Sequence, residues 1–305
     1  MTISYPKKVT IIEVGPRDGL QNEKQFVPTE IKTKFITALS DSGISEMEIT
    51  SFVSPKWVPQ MKDASDIVRA SNSIPKKKIV LVPNEKGIAR ALEENCNALA
   101  VFVGVSDTFN KKNINKTTKE SLNELIPTIR RLKQMGIFLR ACISTAFYCP
   151  FEGKIEKEKV IELCQAFVDS GIDELSVADT IGMANPIESY DLFTDLKSLF
   201  PNTLITAHFH DTRKMALANI LASLQAGVDR FDSSAGGLGG CPFAPGATGN
   251  VATEDVVFML HQMGIETGID LAKLLDAIDV IASQMERPLE SAKYKLHLQD
   301  QLKQA

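Results

Sequence analysis

One recurring phrase limits what this chain can fold into. An amphipathic helical stretch runs into a short turn containing Gly, and a compact apolar segment follows at once. The turn reads DSGI at 41–44 and 169–172, QMGI at 134–137 and QAGV at 225–228. The helical stretches include TEIKTKFITALSDSG (29–43), TKESLNELIPTIRRLKQMG (118–136) and EKVIELCQAFVDSG (158–171), where the closing Gly suits a helix C-cap. The apolar segments predict strands at KVTIIEV (8–14), EMEITSF (46–52), KIVLVP (78–83), ALAVFVG (98–104), FLRACIST (138–145), ELSVADT (174–180), LITAHFHD (204–211) and RFDSSAGG (230–237). Helix and strand in alternation imply parallel strands covered by helices. Eight such units in about 250 residues fit a closed α/β barrel, a (β/α)8 TIM barrel, better than an open sheet. An open dinucleotide-binding sheet would place G-x-G-x-x-G after an early strand, and GPRDGLQNE (15–23) does not supply it. The barrel is expected over about 6–263, with extra C-terminal helices beside it over about 265–300. No linker-like segment divides the chain, so 1–305 is expected to be a single catalytic domain.

Composition removes several alternatives. A formal charge of −4, with no basic block beyond Lys76 to Lys78, argues against nucleic acid as a partner. No apolar stretch reaches membrane-spanning length, and MTISYPKK has no signal-peptide core. The five cysteines show no C-x-x-C spacing, which fits free thiols in a reducing cytoplasm rather than a disulfide framework or structural zinc.

Barrel chemistry gathers at the C-terminal ends of the strands. Those ends here carry Arg17 and Asp18, Glu48 with Thr50 and Ser51, Asn84, Ser144 and Thr145, Asp179 and Thr180, His208 with His210 and Asp211, and Ser233 with Ser234. Most strand starts read as apolar. His208 and His210 share a strand face, because residues i and i+2 do. Two imidazoles, the Asp18 carboxylate and the amide oxygen of Asn250 make a ligand set that suits Mg²⁺ or Mn²⁺, with zinc and iron(II) left open by ligand type alone. His261 and His297 fall in helical, exposed stretches and are not assigned to the site.

Four stretches carry a specific likeness: EVGPRDGLQNE (13–23), EITSFVSPKWVPQM (48–61), HFHDT (208–212) and GLGGCPFAPGATGN (237–250). On them the chain closely resembles the hydroxymethylglutaryl-CoA (HMG-CoA) lyase family, metal-dependent barrel enzymes within a wider group of metallolyases and Claisen-type synthases. The likeness runs from about residue 6 to residue 286. R-D-G-x-Q and H-x-H-D belong to the wider group, whereas SFVSPKWVPQM and GLGGCPFAPGATGN are narrower and carry the substrate assignment. The resemblance implies cleavage of 3-hydroxy-3-methylglutaryl-CoA to acetyl-CoA and acetoacetate, the chemistry of leucine catabolism and ketone-body formation. It places metal ligands at Asp18, His208, His210 and Asn250 and catalytic residues at Arg17, Glu48, His208, Cys241 and Asp179. Departures are small: Ala178 stands where these lyases often show Gly, and STAFYCP (144–150) varies in wording. The C-terminus QLKQA lacks the peroxisomal tripeptide and extra cysteine of some animal lyases, so neither a peroxisomal address nor a thiol switch of that type is expected.

Such a retro-Claisen cleavage takes a proton from a tertiary hydroxyl and releases a thioester enolate. Arg17 offers the enolate oxygen a charge that cannot be lost at working pH. Cys241, in a Gly- and Pro-punctuated loop able to close, offers a neutral thiol as donor to the carbanion carbon. The base is open between the second nitrogen of His208, Asp18 and a hydroxide on the cation, with Glu48 orienting Arg17 and Asp179 supporting a histidine ligand. Substrate contacts are expected from Arg17, Gln21 and Ser51. In the polar segment 107–121, Lys112 beside Lys111 and Asn113 are expected to meet the CoA arm, while Trp57 either walls the acyl pocket or packs its loop. A divalent cation and an acyl-CoA are thus the expected ligands, with no organic cofactor, and a homodimer is expected from the added terminal helices. The rival readings are a lyase for a longer branched 3-hydroxyglutaryl-CoA, a related Claisen synthase or aldolase, and a non-catalytic acyl-CoA or metal sensor.

Overall fold

The computed structural model describes residues 5–74, 76–240 and 249–304. Eight parallel strands form at β1 (Thr10–Glu13), β2 (Glu46–Ser51), β3 (Lys77–Leu81), β4 (Ala98–Gly104), β5 (Phe138–Ser144), β6 (Glu174–Asp179), β7 (Leu204–Phe209) and β8 (Arg230–Ser233). Their order, β1-β8-β7-β6-β5-β4-β3-β2, is that of a closed barrel. Strand after strand lies beside its neighbour in sequence, as short right-handed βα connections require. The helices are α1 (Thr29–Asp41), α2 (Ala64–Ala70), α3 (Glu85–Glu93), α4 (Asp107–Ile114), α5 (Thr118–Gln134), α6 (Lys157–Asp169), α7 (Pro186–Leu199), α8 (Ala216–Gln225), α9 (Thr253–Gln262), α10 (Leu271–Ala282) and α11 (Ala292–Gln304). The expected C-terminal extension is therefore two helices, α10 and α11. Among the described residues, no helix is long and apolar enough to cross a membrane.

The chain resolves into two compact units. One is built on Asn97–Asp232, with β4 to β7, most of β8 and helices α4 to α8. β4 and β5 pair over seven residues, from Ala98↔Phe138 to Gly104↔Ser144. ALAVFVG is almost wholly buried, which explains its unbroken apolar reading. Phe147, Phe193 and Phe209 cluster outside these strands, with ring centroids 6.0–6.4 Å apart.

The second unit is built on Lys7–Cys96, Ser233–Gly240 and the residues from 249 onward, with β1 to β3, α1 to α3 and α9 to α11. Helix α1 packs against α10, burying Phe35, Ile36 and Leu39 together with Leu274, Ile278 and Ile281. The recurring phrase has a clear physical basis at Gly43. Its φ of +104° is a conformation L side chains rarely adopt, and a Cβ there would lie 2.2 Å from the Gly268 carbonyl oxygen.

One expectation needs correcting. The starts of β5 to β8 are not uniformly apolar: Arg140, Glu174, Thr206 and Arg230 sit in them, all buried. The two guanidinium groups and the Glu174 carboxylate bond among themselves, so the sequence around them keeps its strand character although charge is present.

Candidate functional site

In the second unit, the chain leaves β1 through a wide turn at Gly15–Gly19, where the Asp18 and Gly19 amides donate to the Val14 carbonyl at 2.7 and 3.1 Å. The turn is anchored by Glu13, whose buried carboxylate accepts from the amides of Gly15 (2.7 Å) and Ala235 (3.0 Å) and from Thr253 Oγ1 (2.7 Å). Gly19 must be small: a Cβ there would lie 2.7 Å from Ser234 Oγ and 2.9 Å from Leu238 Cβ. The turn presents Arg17 and Asp18 together. Arg17 Nε and Nη2 both meet Glu48 Oε2, at 2.7 and 2.5 Å, while Nη1 donates to Asp18 Oδ1 at 2.5 Å. One guanidinium thus faces two carboxylates.

Asn250 joins this cluster from the start of the segment leading into α9. Its Nδ2 donates to Asp18 Oδ2 at 2.9 Å and to the Leu238 carbonyl at 3.2 Å. Both partners are acceptors, which fixes the amide orientation. Asn250 Oδ1 is consequently buried with no hydrogen-bond partner among the described residues.

In the first unit, His208 and His210 stand side by side at the end of β7, with ring centroids 5.2 Å apart. His208 Nδ1 lies 3.1 Å from Asp232 Oδ2, its cross-strand partner on β8. The same oxygen accepts from Ser176 Oγ at 2.8 Å and from Arg140 Nη2. Burial alone would raise the Asp232 carboxyl, yet the charges and hydrogen bonds of Arg140 and His208 hold it below the ordinary range. Asp232 is therefore held as an anion against Nδ1 of His208. Asp179 lies on the neighbouring strand, where its backbone carbonyl accepts from the His210 amide at 3.4 Å. Its two oxygens accept from the Met183 and Ala184 amides at 3.0 and 2.9 Å, and burial pushes its carboxyl up to about 6. The hydrogen-bonded acidic partner of His208 is Asp232, and Asp179 instead shapes the β6 loop.

The HMGL-like family model matches residues 8–281. This chain belongs to the HMGL-like family. It is 50% identical to the hydroxymethylglutaryl-CoA lyase of Bacillus subtilis (strain 168), over 94% of this chain and 96% of that one. A solved Bacillus subtilis HMG-CoA lyase superposes with a TM-score of 0.93 at 48% identity, covering 96% of this chain and 99% of its own. An Acinetobacter baumannii HMG-CoA lyase, solved with coenzyme A and 3-methylmalate, superposes with a TM-score of 0.90 at 38% identity, covering 97% and 96%.

Within this HMGL-like chain the remaining candidates separate. Ser51 is buried at the end of β2 and accepts from the Val53 amide at 3.2 Å, so its hydroxyl serves the local turn. Gln21 is half-buried just beyond the β1 turn. The polar segment after β4 is helical: Lys112 and Asn113 lie exposed on α4, with Lys112 Nζ 4.9 Å from the centre of the Phe151 ring. Ser106 caps that helix by accepting from the Phe109 amide at 3.0 Å, which is why a stretch rich in Lys and Asn becomes regular. Trp57 is 85% exposed, so it does not pack its loop. Cys241 lies outside the described residues. His261 bonds Thr267 and His297 faces Asp279, away from the residues considered for the site. Sequence reasoning passed over Asp232 and Arg140. The available signal was a charged residue inside an otherwise buried parallel strand, as in FLRACIS and RFDS.

Proposed function

We infer that this chain is a carbon–carbon lyase that cleaves 3-hydroxy-3-methylglutaryl-CoA to acetyl-CoA and acetoacetate. The observation that carries this reading is 50% identity to a lyase of that name across nearly the whole of both chains. It keeps residues 1–305 as one catalytic domain, with an acyl-CoA as substrate.

Asp18, His208, His210 and Asn250 are the residues that would hold a divalent cation, Mg²⁺ or Mn²⁺. The side chains fit that group. Asp232 engages Nδ1 of His208, which leaves Nε2 as the nitrogen to serve as ligand, and Asn250 Oδ1 is a buried acceptor with no hydrogen-bond donor among the described residues. When bound, such a cation supplies Lewis acidity that makes the tertiary hydroxyl of the substrate easier to deprotonate. The chain's own residues supply the rest. As the hydroxyl proton passes to a base, for which Asp18 is the candidate among these residues, the adjacent C–C bond breaks, and its electron pair becomes the enolate of the departing thioester. Arg17, braced by Glu48 and Asp18, meets the negative charge growing on that enolate oxygen. Cys241 gives its thiol proton to the enolate carbon, completing acetyl-CoA. Between the roles open to His208, its bonding supports that of ligand, because Nδ1 already shares its proton with Asp232. Lys112, Asn113, Gln21 and Ser51 remain the proposed substrate contacts, and Asp179 the residue that sets the loop after β6.

A homodimer and a cytoplasmic location belong to the same proposal. The four described cysteines, Cys96, Cys142, Cys149 and Cys164, are free thiols, as a reducing compartment allows. The test is direct. Purified protein with Mg²⁺ or Mn²⁺ should release acetoacetate from 3-hydroxy-3-methylglutaryl-CoA, EDTA should abolish the release, and Cys241→Ala should lower it. Absence of acetoacetate in the metal-loaded native protein would sink the assignment.

A further inference from the structure

Beneath the two histidines lies a buried polar assembly that the reaction, as derived above, does not use. It comprises Arg140 on β5, Glu174 and Ser176 on β6, Thr206 on β7, and Arg230 and Asp232 on β8. Arg140 is fully buried, and its guanidinium bonds Asp232 Oδ2 on one side and reaches Glu174 Oε1 at 3.7 Å on the other. Glu174 Oε1 also receives Thr206 Oγ1 at 2.5 Å and Arg230 Nη2 at 3.4 Å. Two guanidinium groups stand against two carboxylates.

Three donors converge on a single oxygen of Asp232: Arg140, Ser176 and the Nδ1–H of His208. A carboxylate held this way cannot rotate without breaking the other two bonds. It therefore fixes both the plane of the imidazole and the nitrogen that bears its proton. We propose that Asp232, held by Arg140 and Ser176, is the positioning residue that locks His208 with its proton on Nδ1 and Nε2 turned outward as a metal ligand. The proposal rests on the metal-site reading given above and concerns how that site is preset. Arg140 acts one step further back: its guanidinium holds and compensates the Asp232 carboxylate in a dry interior.

The experiment uses full-length protein labelled with ¹⁵N at histidine. The chain has only four histidines, so four imidazole pairs are expected, and His208→Gln identifies the relevant one by its disappearance. In the native protein at neutral pH, His208 should show a protonated Nδ1 and an unprotonated Nε2, before and after addition of Mg²⁺. An Nε2–H or doubly protonated ring in the metal-free native protein overturns the proposal without any variant.

Asp232→Asn then tests the cause. Its carboxamide can turn an NH₂ toward His208 Nδ1, so the tautomer should shift or become mixed. The variant should melt at a lower temperature, because the buried Arg140 loses its partner, and in the folded protein Mn²⁺ affinity by calorimetry should fall about 10- to 100-fold. A folded Asp232→Asn protein that keeps the native tautomer, and binds Mn²⁺ within about twofold of native, overturns the positioning role. Should that variant not fold, Ser176→Ala removes a neutral donor from the same oxygen and leaves the charges in place. It should broaden or shift the His208 Nδ1 signal, and an unaltered signal counts against the proposal. The two readings fail differently. If native protein binds no Mn²⁺, the metal site itself is wrong; if native and Asp232→Asn bind alike, only the positioning role is wrong.

Discussion

Arg17 is gripped by two acids through different faces of its guanidinium, and that grip says what a substitution would do. Nε and Nη2 are spent on Glu48, and Nη1 on Asp18. A lysine has the same charge but one terminal nitrogen, so it cannot keep both partners in place. Arg17→Lys should therefore lower kcat by about 10²- to 10³-fold with a much smaller change in KM, as steady-state acetoacetate release would show. Equal kinetics in the two proteins would mean that charge alone suffices there. Much of this residue-scale picture was legible beforehand, because Arg17–Asp18 and His208-x-His210 are local patterns in which spacing carries the meaning. Asp232 was not. It becomes the partner of His208 only through the β7–β8 register, Asp232↔His208, and a 24-residue separation hides that register from any local reading. Asp179 drew the eye as an acid at a strand end, while its oxygens are occupied by two backbone amides of the loop that follows.

The elements explain why the recurring phrase was such a reliable guide. A helix that ends on a Gly in the left-handed region turns sharply enough to feed the next strand. At Gly43 the requirement is double, because the φ is +104° and the Gly268 carbonyl sits against the α-carbon. Gly43→Ala should cost about 1–3 kcal/mol, read as a lower denaturant midpoint with an unchanged m-value. Helix α9 carries a different sensitivity. Glu254 in its first turn is buried, and burial pushes its carboxyl from 4.5 up to about 8, although the Gly236 amide donates to it at 3.0 Å. The folded state thus holds this proton at pH values where the unfolded chain has lost it. Its contribution to stability is complete below about pH 4.5 and is lost as pH rises through about 8. The melting temperature should accordingly decline between pH 5 and 8 more steeply in native protein than in Glu254→Gln, which cannot titrate. Parallel slopes would show that Glu254 titrates alike in both states. The α4 segment shows where element reading fell short: a run of Lys and Asn looked like loop, and a single Ser106 cap made it helix.

At the scale of the molecule, the closed barrel was legible because eight apolar runs and their covering helices repeat often enough to outweigh uncertainty at any one boundary. The strand ends were drawn too long at most positions, as at LITAHFHD, where regular pairing stops at Phe209 and His210 lies just beyond. A cation that binds the folded chain but not the unfolded one stabilises the whole fold by mass action. Saturating Mn²⁺ at about 100 times its Kd should add about 2.7 kcal/mol, visible in calorimetry as a raised melting temperature that EDTA reverses. His210→Ala should lose most of that increment while melting near the native temperature without metal. A full metal-dependent rise in that variant would place the cation elsewhere.

The charged layer of Arg140, Glu174, Arg230 and Asp232 also has a consequence for descent. Removing any one of the four unbalances charges held in a buried layer, which is far more damaging than replacing an opposed pair by apolar groups of similar size. Drift through single steps at these positions is therefore nearly closed, and change there has to come in matched pairs.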